Sequence, residues 1–311
     1  MHALDRKKVL VTGSDGMLGT EVMRLLHRDD RIEAVGTTVR DMDVTNLAQV
    51  RDVILRHRPS HVIHCAAFTA VDSAEKESLK AYQINSEGTK NLAFFCRELD
   101  VELIYVSTDY VFSGDKRDAY LETDTPHPIN VYGMTKLLGE TYIQTLLERY
   151  KIVRTSWLNG LGGDYTRNFI ETMLRISESR STLSLVSDQV GRPTFTFDLA
   201  LALVTLLDVN AYGVFHVTNN GQCSWYEFAR EIFRVAEKPE VEVRPILSEQ
   251  FRSAARRPSF SVMANRRFEQ LGIRALPDWK DSLQEYFRRR RNSLAIREPA
   301  ELGPSPLAMR M

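Results

Sequence analysis

Near its start the chain passes from a short apolar segment, residues 9–12, into Gly13-Ser14-Asp15-Gly16-Met17-Leu18-Gly19, and residues 18–27 then follow an amphipathic helical pattern. Glycines at these spacings let the backbone turn tightly and let a second backbone approach closely. They also leave the N–H groups of the helix start open to an anion such as a pyrophosphate. Such a turn needs a strand before it and a helix after it, which ties this half of the chain to βαβ units. Further β-branched runs at 32–36, 61–65, 103–107 and 152–155 alternate with helical patterns at 47–56, 73–99 in two pieces, and 131–149. This alternation predicts an α/β fold, a Rossmann-type doubly wound parallel sheet with helices on both faces.

After Trp157 the pattern loses its regularity. Helices are expected at 167–177, 197–207, 225–235 and 279–290 around short strands at 183–186 and 214–217. The expected organisation is a dinucleotide-binding domain over 1–156, completed by parts of 193–218, and a smaller α+β substrate-binding cap over 157–294. Residues 295–311 mix Pro, Glu, Ala and Ser without periodicity and read as a flexible tail.

Charge excludes several classes of partner. Lys plus Arg and Asp plus Glu each number 41 in the 311 residues, so no global field favours nucleic acid or an anionic membrane. The four arginines at 288–291 close an expected helix, where cations offset the helix dipole, and read as a solvated end. No signal-peptide core or spanning segment is evident, and a cytoplasmic location is expected. Cys65, Cys96 and Cys223 lack metal-ligand spacing and read as buried thiols; no metal is expected.

Tyr132-Gly133-Met134-Thr135-Lys136 places a phenol and an ammonium on one helix face, four residues apart. Asn130 is the expected N-cap. Moving a tyrosine from its usual pKa toward neutrality takes about 4 kcal/mol. A lysine cation about 4 Å away supplies that at an effective dielectric of about 20, but only about 1 kcal/mol in bulk water. The pair therefore calls for a site shielded from solvent. Thr108 follows the strand at 103–107, at the sheet edge where open α/β folds bind ligands, and its hydroxyl can donate to a substrate oxygen. Thr108, Tyr132 and Lys136 are thus the candidate catalytic residues for a carbonyl/alcohol centre. The second strand ends Gly36-Thr37-Thr38-Val39-Arg40, with no carboxylate there until Asp41, which favours NADPH, with NADH as the other option. Arg40 is read either as a contact for the 2′-phosphate or as a solvated loop residue.

The glycine spacing and the Thr108, Tyr132, Lys136 set resemble the extended short-chain dehydrogenase/reductase superfamily. That resemblance assigns Asp43 and Val44 to the adenosine end and Asn85 to the cofactor region. It also brings the cofactor close to the backbone at Cys65, Ala66 and Ala67. Six blocks within residues 8–290 resemble the dTDP-4-dehydrorhamnose reductase family. They are 65–72, 107–114, 132–140, Arg154-Thr155-Ser156-Trp157, 188–194 and 224–229. By this resemblance Gly13, Gly16, Met17, Leu18, Gly19, Asp43, Val44, Ala67, Thr69, Tyr132 and Lys136 bind cofactor. Thr108, Asp109, Tyr110 and Trp157 line a dTDP-sugar site, and Arg257 is either a pyrophosphate contact or a surface arginine.

The implied reaction is hydride transfer from NADPH to C4 of a dTDP-4-keto-6-deoxyhexose, dTDP-4-dehydro-L-rhamnose first among them. Tyr132 would protonate the oxygen, and Lys136 would hold the ribose and lower the tyrosine pKa. Related dehydratases carry a glutamate where this chain has Tyr110, and without that second carboxylate elimination lacks its base. His64 stands where the family often has Asn. Glu21 corresponds to an acid that holds an interface magnesium in some members, but Phe197 replaces a second one. The resemblance allows a homodimer. Two rival readings are a reductase of another nucleotide sugar and a nicotinamide-binding regulatory subunit resembling the β subunit of methionine adenosyltransferase.

Overall fold

A computed structural model describes residues 6–297. Its first half reads β1 (Lys7–Thr12), α1 (Met17–Leu26), β2 (Ile32–Thr37), α2 (Leu47–His57), β3 (His61–His64), α3 (Val71–Lys76), α4 (Ser78–Tyr82), a π-helical turn (Gln83–Glu87), α5 (Gly88–Glu98), β4 (Glu102–Thr108), α6 (Val131–Leu146) and β5 (Tyr150–Thr155). The second half adds β6 (Leu158–Asn159), α7 (Phe169–Ser177), β7 (Thr182–Val186), β8 (Val190–Gly191), β9 (Thr194–Phe195), α8 (Thr196–Leu206), β10 (Gly213–His216), β11 (Cys223–Ser224), α9 (Trp225–Val235), β12 (Glu242–Ile246), α10 (Arg266–Gln270) and α11 (Trp279–Arg297).

Six parallel strands form the central sheet in the order β2-β1-β3-β4-β5-β10. Side-chain alternation divides each strand between two cores. Val9, Val11, Ile63, Ile104 and Val153 face α1 and α8, whereas Leu10, Val62, Leu103, Tyr105 and Ile152 face α2, α5 and α6. The chain order reverses between β1 and β3, which opens a crevice above their carboxyl ends. A third core joins α7, α9 and α11 to the β7–β12 pair.

Several expectations shift in the structure. The helical stretch at 73–99 forms three α-helical pieces and a π turn, because the extra residue per turn lets the consecutive Asn85 and Ser86 both point inward toward α6. Helix α11 runs on through Arg297, so 295–297 are helical rather than tail, and the remainder of the expected tail lies outside the described residues. The arginine run is not wholly solvated: Arg290 reaches Glu171 of α7 at 2.7 Å, while Arg288 and Arg289 pair with Glu285. Cys96 and Cys223 are buried, but Cys65 is only partly so and lines the crevice. Burial pushes its thiol up to about 12, away from reactivity. Among the described residues no helix is long and apolar enough to cross a membrane.

Candidate active site

A cleft of about 1060 Å³ crosses the carboxyl ends of β1 to β5 and is walled on its far side by Trp157, Leu158, Asn159, Asn168, Phe169 and Trp225. Its floor begins at the glycine turn. Gly13 has φ +64°, and a Cβ there would lie 2.8 Å from the Cα and N of Ala66. A Cβ on Gly19 would stand 2.1 Å from the Gly13 carbonyl oxygen. No side chain caps the start of α1, so its leading N–H groups face the cleft beside Gly16, Met17 and Leu18. A turn this tight above an uncapped helix start fits the diphosphate of a dinucleotide.

The cap reaches the same turn. A Cβ on Gly162 would meet the Met17 carbonyl oxygen at 2.6 Å, and one on Gly163, at φ +51°, the Asp15 carbonyl oxygen at 2.3 Å. Sequence reasoning missed this contact, although the adjacent glycines were its signal. Asp43 and Val44 line the other end of the cleft, and Cys65, Ala66, Ala67 and Thr69 line its floor.

At the deep end, Asn130 caps α6 by accepting the Gly133 N–H at 2.8 Å. Gly133 lets that first turn close on the segment after β4, because a Cβ would stand 2.0 Å from the Tyr110 carbonyl oxygen. This contact brings Tyr132 beside Thr108, with the Tyr110 ring edge-on at 6.0 Å between centroids. Thr108 Oγ1 accepts the Tyr110 N–H and donates to Asp109 Oδ1, both at 3.1 Å. The other Asp109 carboxyl oxygen is buried without a partner. Burial raises that carboxyl to about 7, against the Ser261 and Thr108 hydroxyls, which pull it down.

Lys136 is 2% exposed. Its Nζ donates to the Val106 carbonyl at 2.7 Å and lies 4.0 Å from the centre of the Tyr105 ring. Burial lowers it to about 7, with Glu140 opposing. Burial raises Tyr132 to about 12, opposed by the Thr108 hydroxyl. Lys136 is not among the groups that act on the Tyr132 phenol, so the expected lowering of its pKa by Lys136 is not seen. The ammonium is turned toward a carbonyl and an aromatic face, and Tyr132 keeps its proton. Beneath them Glu140 accepts the Ser107 hydroxyl at 2.5 Å and pairs with Arg154 at 2.6 Å, wholly out of solvent.

Three expected site residues lie outside the cleft lining. Arg40 is exposed beyond Val39, and Asp41 folds back to accept the Thr38 N–H and hydroxyl at 2.9 and 2.8 Å. Thr38 and Val39 are left facing the cleft instead. Asn85 is buried and holds Phe68, accepting its N–H at 2.8 Å and donating to its carbonyl at 3.1 Å. Arg257 is clamped to Asp72 of α3 at 2.6 Å and also acts on Tyr110 of the cleft wall. Trp157 does line the cleft: at φ +44° it stacks on Trp225 with centroids 3.5 Å apart, over Gly191, which has no Cβ to obstruct the ring. Sequence reasoning missed Lys80, Asp164, Arg167 and Trp225, which reach the cleft from other parts of the chain.

The titrating groups set an acid limit on stability. His64 and His216 are buried and pushed down to about 3, so from their usual 6.5 downward only the unfolded chain protonates them. Asp109 acts oppositely, since its folded carboxyl keeps a proton up to about 7 against 3.8 unfolded. For these three groups the net difference is one more proton on the unfolded chain, and buried His61, also shifted down, adds in the same direction while Asp198 opposes it, so stability falls as pH falls. Unfolding in urea should show a loss of about 2 kcal/mol between about pH 6 and about pH 4.5. A flat profile across that window would contradict the assignment.

The RmlD substrate binding domain family matches residues 7–292. A dTDP-4-keto-6-deoxy-D-glucose reductase of Streptomyces niveus is 39% identical over 279 residues, covering 89% of this chain and 96% of the relative. A dTDP-4-dehydrorhamnose reductase of Streptomyces griseus is 40% identical over 294 residues, covering 92% and 95%. The crystal structure of dTDP-4-dehydrorhamnose reductase from Bacillus anthracis in complex with NADP is 39% identical and superposes with a TM-score of 0.87, over 91% of this chain and 99% of that one. With a match of this extent and with the glycine turn, Thr108, Tyr132 and Lys136 all gathered in one cleft, the chain belongs to the RmlD substrate binding domain family.

Proposed function

We propose that this chain reduces the C4 carbonyl of a dTDP-linked 4-keto-6-deoxyhexose with NADPH, dTDP-4-dehydro-L-rhamnose being converted to dTDP-L-rhamnose. The observation that carries this reading is the meeting of Thr108, Tyr132 and Lys136 in a cleft where Tyr110, not a second carboxylate, follows Asp109. Elimination of water needs an acid and a base on neighbouring sugar carbons, and Asp109 alone cannot serve as both.

The glycine turn and the start of α1 would hold the cofactor diphosphate. Asp43 and Val44 would take the adenosine end, while Ala66, Ala67 and Thr69 would carry the chain between. When bound, NADPH supplies the hydride. Tyr132, protonated across the neutral range, gives its proton to the C4 oxygen, which suits the reductive direction. The Thr108 hydroxyl, turning its one proton from Asp109 Oδ1, would orient and stabilise that oxygen. Lys136 uses one of its three donors on Val106 and keeps two for the ribose hydroxyls. The buried Asp109 Oδ2, which has no protein donor at hydrogen-bond distance although the Ser261 hydroxyl acts on the same carboxyl, would accept from a sugar hydroxyl.

Steady-state turnover of dTDP-4-dehydrorhamnose with NADPH, followed by loss of reduced nicotinamide and by product analysis, tests the proposal. Turnover is expected, with a higher initial rate for NADPH than for NADH. Turnover of dTDP-4-keto-6-deoxy-D-glucose alone would move the assignment to that sugar. Cofactor binding without turnover of any keto sugar would overturn the reductase reading.

A further inference from the structure

His64 ends β3 at the crevice between β1 and β3 and is 1% exposed. Its Nδ1 lies 2.7 Å from the Thr12 hydroxyl oxygen and its Nε2 lies 3.1 Å from that of Thr89. Proton accounting fixes how these groups are used. The Thr89 hydroxyl donates to the Asn85 carbonyl at 2.7 Å, so toward His64 it can only accept, and Nε2 must carry the ring proton. A neutral imidazole then has a bare Nδ1, which accepts from the Thr12 hydroxyl. Thr12 Oγ1 in turn accepts the Ala66 N–H at 3.2 Å. One directed chain results, from Ala66 N–H through Thr12, His64 and Thr89 to the Asn85 carbonyl.

The two ends of that chain hold the same strip of backbone. Ala66 is fixed directly. Phe68 is fixed through the Asn85 side chain, which takes both its N–H and its carbonyl. Between them lies the cleft floor, pressed against Gly13 so closely that a Cβ there would touch Ala66. His64 itself touches none of the cleft space and is absent from its lining.

We propose that His64 is a positioning residue for the dinucleotide, its Nε2–H tautomer setting the height of the 65–68 strip against the glycine turn. This rests on the reading of the cleft as a dinucleotide site. Burial keeps the ring neutral, its pKa pushed down to about 3, so the tautomer persists at neutral pH. The larger effect is expected on cofactor affinity: Thr108, Tyr132 and Lys136 sit on β4 and α6, which this chain of bonds meets only at its side, through the His64–Tyr105 ring contact at 5.4 Å and the Asn85–Thr135 bond at 3.0 Å.

NADPH binding, followed by nicotinamide fluorescence on the full chain without sugar, tests the proposal. His64→Leu, which leaves the Thr12 hydroxyl without its acceptor and the Thr89 oxygen without its donor, should weaken NADPH affinity about tenfold or more, and Thr89→Val, which keeps the ring, should weaken it severalfold. His64→Gln, whose amide reaches Thr89, should recover part of the loss. In turnover the defect should fall on KM for NADPH and far less on kcat. Ring 15N shifts of His64 in the unaltered protein should show a protonated Nε2. An Nδ1–H tautomer, or NADPH affinities of a folded His64→Leu or Thr89→Val within about twofold of the unaltered chain, would overturn it. Should His64→Leu fail to fold, Thr89→Val and the 15N signature still decide. NADPH binding without turnover would sink only the reductase reading, whereas an unaltered chain that binds no NADPH would sink both.

Discussion

Replacing Tyr132 by Phe should lower kcat for the keto sugar by about 10²–10⁴-fold while leaving NADPH affinity nearly unchanged. The substitution removes one oxygen and keeps the ring that packs edge-on against Tyr110. The fold of α6 does not depend on that hydroxyl, since Asn130 and Gly133 fix the first turn. Only the proton delivered to the C4 oxygen is lost. Because burial holds the phenol at about 12, its ionisation should not limit the rate anywhere near neutrality. A decline in rate near pH 7 would point to Lys136 or Asp109, both of which titrate at about 7. Stopped-flow hydride transfer together with a fluorescence titration separates the two quantities. A kcat within about tenfold of the unaltered enzyme would remove Tyr132 as the proton donor.

Replacing Arg154 by Met should destabilise the protein by about 3–5 kcal/mol, the usual penalty for leaving one member of a buried ion pair alone. Glu140 is 0% exposed and Arg154 2%. Besides the guanidinium, the Ser107 hydroxyl is the one hydrogen-bond partner of Glu140 among the described residues, and Lys136 the remaining nearby cation, which burial holds at about 7, so the buried carboxylate would be poorly compensated. Ser107 immediately precedes Thr108, so activity should fall along with stability. Pairing the change with Glu140→Leu should recover much of the stability, because the charge that made the single change so damaging is gone. Urea unfolding of the two single variants and the double variant measures this directly. A loss below about 1 kcal/mol for Arg154→Met would mean that the pair is worth no more than a surface contact.

The parts of the site that were legible in the sequence are those set by local spacing. The turn from Gly13 to Gly19 announces itself because strand, glycines and helix adjoin, and the step from Tyr132 to Lys136 because four residues on a helix share a face. Thr108 is readable as the end of a buried strand. What stayed hidden depends on contacts between distant segments. Arg257 meets Asp72 across 185 positions, and nothing near either residue signals the pairing. Asn85 turns inward because of a π turn that exists to satisfy packing against α6. The electrostatics of the Tyr132–Lys136 pair were equally beyond reach, because spacing gives the neighbour but not the direction of the ammonium. Val106 and Tyr105 set that direction.

Strand β10 enters the sheet beside β5 from beyond much of the cap, and α8 packs against α1 in the same core as Val9 and Val153. On a ribosome, therefore, the first five strands emerge with one open edge and one face covered by α1 alone. They stay so until residue 216 has cleared the exit tunnel. Truncation after residue 156 would make that transient state permanent, with the β5 edge free to pair with other chains and Leu18, Val22 and Leu26 exposed to water. The first half is thus a product of the whole chain, and its synthesis carries a window in which it depends on protection from its neighbours.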